Sequence, residues 1–396
     1  MGGSGPTGGN PFEGLPFFGD LAKMLASSGP VHWDAARQFA LAAATGGTAE
    51  DNPDPLERIR LEELGRVAEL RVADASGLPT APGGRLVRIT PVTRAEWATR
   101  TLDAYRPIFE RLSTALSAAG DDARSDEVPA VPDDPSADLL GGMFAMLTPV
   151  LLGVQAGSMV GHLATRALGQ YDLPLPRPQS DELLVVPANL NAVAEEWSLP
   201  PDDLRLWTCV SELATHAVLG VPHVRARMEG LVLDYVGAFR PDPSGLESRF
   251  GEVDMGDPEG LQQIFGDPAQ LLGALRSPAQ AALLPPLEAL VAVVVGVVDE
   301  IVETVSTGLL SDAGRLTEAL HRRRVEAAPA DRLVEQLLGL ELGTATFERG
   351  SAFVQGVLER GGSAALAALW RDERGLPTPA EVDAPGLWLA RLEYED

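Results

Sequence analysis

Glu212 sits between Ser211 and Thr215 on a stretch whose pattern is helical, Asp202 to Leu219. Side chains at i and i+4 of a helix share one face, about 6 Å apart. Two imidazoles at that spacing converge on one metal ion, and a glutamate directly after the first activates the metal-bound water. Here the glutamate is present, but both ligand positions carry hydroxyl residues, which are neutral and poor ligands for zinc. A catalytic zinc site takes three protein ligands from His, Glu, Asp or Cys.

Other chemistry on the same helix is weaker. Cys209, Glu212 and His216 fall at i, i+3 and i+7 on one face. Cys209 and His216 are nevertheless separated by about 10 Å of helix rise, too far for direct proton transfer. A Ser211/His216 dyad fails on angle, because five residues place the two about 140° apart around the axis. Glu212 and His216, at i and i+4, fit a modest side-chain pair. His32, His162, His223 and His321 read as isolated structural histidines.

The key helix has clear ends. Pro200-Pro201-Asp202-Asp203 puts acids in its first turn, and Gly220 and Pro222 stop it. Most of the remaining chain also reads as helix. Asn52 to Asp74 carries Leu56, Ile59, Leu61, Leu64, Val67 and Leu70 on or near one side, and Pro285 to Thr307 is very apolar. Short strands are expected at Arg85 to Ile89 and Leu183 to Val186. Leu139 to Leu163 carries no charge and is long enough to span a bilayer. Pro149, Gln155, Ser158 and His162 break its apolar character, and no arginine-rich flank orients it. Burial in a protein core is the expectation, with Gly153, Gly157 and Gly161 forming a small-residue ridge against another helix of the same domain.

Composition sets outer bounds. The chain has 396 residues, 45% of them hydrophobic, and a net charge of −26. Such charge disfavours nonspecific nucleic-acid binding, which needs clustered cations, and docking to anionic lipid. One cysteine, Cys209, allows no intrachain disulfide and no cysteine zinc cluster, in keeping with a reducing cytoplasm. Residues 1–14 read as a disordered Gly-rich tail without a secretory signal. Residues 15–396 read as one domain, with 119–137 a mobile acidic loop and Pro241 to Pro258 a second loop.

The segment DLRLWTCVSELATHAVLGVPHVRARM resembles the active-site helix of the zincin-like metalloproteases of GC-rich, actinobacterial-type bacteria. Further likeness runs through NPFEGLPFFGDL, GPVHWDAARQFA, GVQAGSMVGHLATRALGQYDLPLPR, PADRLVEQLLGLEL and GLPTPAEVDAPGLWLARL, in the same order along most of the chain. The resemblance implies a mainly α, zincin-like fold with a few short strands, and an ancestral zinc peptidase chemistry. It places Ser211 and Thr215 where the two zinc histidines stand, and Glu212 at the catalytic glutamate, as a remnant general base. His216 matches a second histidine that follows the ligand and is a possible accessory residue. It also places Val295, in Val295-Gly296-Val297-Val298-Asp299-Glu300, where a glutamate supplies the third ligand.

The expectation is therefore a family member without zinc or any other cofactor, a pseudoenzyme that binds or regulates an unidentified protein or peptide. The alternatives are an active metal-dependent hydrolase with a non-standard site, or a membrane-associated helical protein. A bare groove is expected beside Ser211, lined by Glu212, Thr215 and the helix around Val295. An unpaired Glu212 there is expected to have a raised pKa.

Overall fold

The computed structural model describes residues 29–81, 85–126, 135–240, 277–326 and 329–395. The expected tail over 1–14, the short helix over Pro16 to Ser27 and the loop over Pro241 to Pro258 lie outside them.

Helix α1 (Trp33–Thr45) starts on His32, whose Nδ1 accepts from the Ala35 N–H at 3.0 Å, and ends on Gly46 in the left-handed region. Its inner face is alanine: Ala35, Ala36, Ala40 and Ala44 are buried. Helix α2 (Pro55–Ser76) is capped by Asp54, which accepts from the Leu56 N–H at 2.9 Å. Strand β1 (Arg88–Pro91) leads into α3 (Arg94–Ala104), α4 (Arg106–Asp126) and α5 (Pro135–Ala164), and the chain then returns to β2 (Glu182–Val185). The strands pair in parallel, Ile89 opposite Leu183 and Pro91 opposite Val185. A parallel pair needs such a long crossover, and the helices bury both strands.

The rest is helical: α6 (Pro187–Glu196), α7 (Pro201–Gly220), α8 (Pro222–Gly237), α9 (Pro278–Thr307), α10 (Ala313–Val325), α11 (Pro329–Leu337), α12 (Thr344–Leu366), α13 (Pro379–Asp383) and α14 (Pro385–Glu395). The fold is mainly α, with two short strands among the described residues.

The glycine ridge of α5 packs on α1. A Cβ added at Gly153, Gly157 or Gly161 would run into the backbone carbonyls of His32, Ala36 and Ala40 respectively. Alanine facing glycine lets the two backbones approach closely. A second close crossing joins α9 to α12, where a Cβ at Gly350 would overlap the Ala292 carbonyl.

Three expectations need correction. The acidic stretch 119–137 is not loop throughout, because α4 continues to Asp126 and α5 begins at Pro135. Aspartates alone do not stop a helix, and Pro135 stands at the first position of α5, where its missing N–H costs nothing. On α2, Leu56 is 71% exposed and Leu70 63%, while Leu61, Gly65, Ala68 and Val72 face inward. Small residues win that face because β1 presses on it: a Cβ at Gly65 would overlap the Ile89 side chain. Helix α9 begins at Pro278 rather than Pro285, started by a capping box of Ser277 and Gln280 that carries Pro285 and Pro286 inside the helix.

Candidate functional site

Helix α7 is buried along most of its length, packed between α2 and α9. Its first turn is held by Arg205, whose Nε meets Glu57 Oε1 at 2.6 Å and whose Nη2 donates to Asn191 Oδ1 at 2.8 Å. That anchor fixes which face of α7 looks outward. The face bearing Trp207, Ser211, Glu212 and Thr215 opens on a cleft of about 240 Å³. Val294, Val295, Val298 and Asp299 of α9 line it as well. Gly169, Tyr171 and Asp172 also line it, as do His321, Arg323 and Arg324 of α10.

The structure thus gathers Ser211, Glu212, Thr215 and Val295 around one space. Their chemistry there is limited. The Thr215 hydroxyl donates to the Ser211 carbonyl at 2.8 Å, a bond within its own helix turn. Val295 contributes only hydrocarbon. The Ser211 hydroxyl has no hydrogen-bond partner among the described residues.

Glu212 is 6% exposed. Both its carboxylate oxygens accept from the Tyr171 N–H, at 2.9 and 3.2 Å. The Gly169 backbone lies so close that a Cβ there would overlap the carboxylate. The Gly169–Tyr171 strap is fixed in turn: Gly169 bridges Val185 of β2, and its carbonyl accepts from Trp97 Nε1 at 2.8 Å. Burial pushes the Glu212 pKa up to about 8, against the lowering pull of the Tyr171 and Gln170 N–H groups and the Arg177 charge. The carboxyl is therefore mainly protonated at neutral pH.

His216 is absent from the walls of the cleft. Its Nδ1 lies 2.8 Å from the Tyr171 hydroxyl. Burial, reinforced by the Arg225 charge, pulls its pKa down to about 4, so the ring is neutral. Cys209 is fully buried, and burial pushes its thiol up to about 12. It remains a thiol and no nucleophile. Cys209 and His216 are therefore interior residues, outside the cleft that Glu212 lines.

Several site residues escaped the sequence reading. Tyr171 clasps Glu212 from 41 positions away. Arg177 is buried, donates to Thr101 Oγ1 at 2.7 Å and lies over the rings of Trp97 and Tyr105 at 5.4 and 5.3 Å. His321 Nε2 lies 3.7 Å from Asp299 Oδ2 across the cleft from α7. Nothing in local spacing links these residues to α7. Only Asp299, four places after Val295, was within reach of the pattern. Among the described residues, no three His, Cys, Asp or Glu side chains are grouped so as to hold a metal ion.

The mainly helical fold has known counterparts. The model of the zincin-like metallopeptidase family matches residues 31–389, and the chain belongs to that family. A crystal structure from Chloroflexus aurantiacus, provisionally described as a hydrolase with a novel fold, is similar with a TM-score of 0.60 and 24% identity. The match covers 92% of this chain and 99% of that one, and it is a likeness of fold. No curated protein matches the chain.

Proposed function

We propose that this chain is a non-catalytic member of its family, a pseudoenzyme whose cleft binds a protein or peptide in a regulatory role without zinc. One observation carries this reading. The three positions that would present zinc donors, Ser211, Thr215 and Val295, line one cleft and offer two hydroxyls and an isopropyl group. The residues do not fit the metal. Zinc needs imidazole, thiolate or carboxylate donors, and one of the two hydroxyls is already committed to the helix backbone. Glu212 matches the glutamate of the motif, but a protonated carboxyl clamped by Tyr171 is poorly placed to take a proton from water. The net charge of −26 favours a partner other than nucleic acid or anionic lipid. A lone, buried thiol suits the cytoplasm.

The test is metal content. Protein purified without chelator is expected to hold less than about one tenth of an equivalent of zinc, given the missing donor set. Near-stoichiometric zinc overturns the proposal and favours an active hydrolase with a non-standard site. The constructive counterpart is S211H/T215H/V295E. With all three donors restored on facing helices, zinc binding is expected to appear while the wild type stays empty.

A further inference from the structure

The cleft above Ser211 has a consistent hydrogen-bonding character, which bears on what it would bind. Its carboxylates are already engaged or silent. Asp172 is paired with Arg166 at 3.2 Å, Asp299 faces His321, and burial keeps Glu212 protonated. The remaining acid, Glu326, stands exposed at the rim. The unused capacity lies in donors. Among the described residues the Ser211 hydroxyl has no hydrogen-bond partner, and the Trp207 indole N–H is enclosed without an acceptor. Arg323 donates to the Arg166 carbonyl at 2.6 Å, and Arg324 lies over the Phe347 ring at 5.3 Å. Among the described residues neither arginine has a carboxylate within ion-pair distance. Both are partly buried, and the charges of Asp172 and Glu196 act on Arg323 without forming an ion pair with it. Burial lowers the Arg323 pKa accordingly.

Two arginines lining one small cleft favour a planar anion with two oxygens, which guanidinium groups hold by paired, charge-assisted hydrogen bonds. The cleft's 240 Å³ lies below the usual range of about 300–1,000 Å³ for drug-sized ligands, so the group it takes is small, and a chain end supplies such a two-oxygen anion. Val294, Val295 and Val298 of α9 give the same cleft an apolar part of its lining. We propose that the cleft captures the C-terminus of a peptide, with its terminal carboxylate on Arg323 and Arg324 and an apolar last side chain against the Val294–Val298 wall. The inference rests on the non-catalytic reading, because a zinc ion would occupy the same space. The overall negative charge does not forbid it, since screening over about 8 Å at physiological salt leaves the local arginines in control.

The experiment compares three N-terminally fluorescein-labelled pentapeptides ending in leucine by fluorescence anisotropy with the full chain. One has a free terminal carboxylate, one a terminal amide, and one a terminal amide with an internal aspartate. The free acid is expected to bind at least about tenfold tighter than either amide, the scale of a charge-assisted pair. R323Q and R324Q should each reduce the acid to the level of the amides. R324Q guards against misfolding, because Arg324 only stacks on Phe347 whereas Arg323 also holds a backbone carbonyl. Equal binding of acid and amide, or binding of neither, overturns the inference. So does an undiminished preference for the acid in both variants. Tight binding of the aspartate amide overturns the assignment to a chain end. Failure of the underlying reading shows separately, as stoichiometric zinc in the same preparation.

Discussion

Glu212 and His216, one helical turn apart, titrate in opposite senses, and the sign of each can be worked out. The Glu212 pKa rises from 4.5 to about 8 in the folded protein. Between those values the native state holds a proton that the unfolded chain has lost. Its stabilisation is full below pH 4.5 and is lost as pH rises toward 8. The His216 pKa falls from 6.5 to about 4. Its stabilisation is full above pH 6.5 and is lost as pH falls toward 4. The two slopes, each at most about 1.4 kcal/mol per pH unit, oppose one another between pH 4.5 and 6.5. Above pH 6.5 only Glu212 remains. Wild-type stability is therefore expected to fall from pH 6.5 to 8, measured as a falling denaturant midpoint. In E212Q that decline should flatten. In H216Q the decline should begin near pH 4.5, because the opposing slope is gone. An E212Q midpoint that declines like the wild type would refute the buried, protonated carboxyl.

At the scale of elements, glycines set the distances between helices. Gly157 on α5 lies against the Ala36 carbonyl, whereas Gly230 on α8 is exposed with nothing near its missing Cβ. G157A is expected to cost about 1–3 kcal/mol through overpacking, and G230A to gain up to about 1 kcal/mol through helix propensity. Thermal or chemical melts of the two variants should move in opposite directions. Equal shifts would mean that the α1–α5 contact is not close. This ridge was legible in the sequence, since a glycine at every fourth residue of an uncharged helix has one natural use. So was α7, bounded by proline and glycine and patterned between. The inward face of α2 was not legible. Periodicity ranks residues by apolarity, but β1 and α7 demanded small residues there, which leaves Leu56 and Leu70 outside. The strap from Gly169 to Tyr171 was equally hidden. A backbone N–H carries no side-chain signature, and its meeting with Glu212 depends on a strand pairing made elsewhere. The positions of Ser211, Glu212, Thr215 and Val295 emerged from motif resemblance, whereas the arginines that line the same cleft emerged only from the fold.

At the scale of the molecule, the membrane-associated alternative can be weighed against packing. Helix α9 is the described helix whose length and apolarity suit a bilayer, with a mean hydropathy of 2.2 over its most apolar stretch. In the structure 67% of that stretch is buried, against α7, α8 and α12. Placing α9 in lipid would strip it from the helix that carries Glu212 and open the Gly296–Gly350 crossing, where the two backbones touch. It would also uncover the buried partners of its valines to water, at about 25 cal/mol for each Å² of apolar surface. The uncharged run of α5 is committed likewise, through its glycines, to α1. A net charge of −26 adds repulsion from anionic headgroups. The full chain, expressed without detergent, is therefore expected to stay in the supernatant on ultracentrifugation and not to float with phosphatidylserine-containing vesicles. Flotation that survives high salt would mean that α9 or α5 leaves the core for lipid. The cleft, which takes one wall from α9, could not then have the form described.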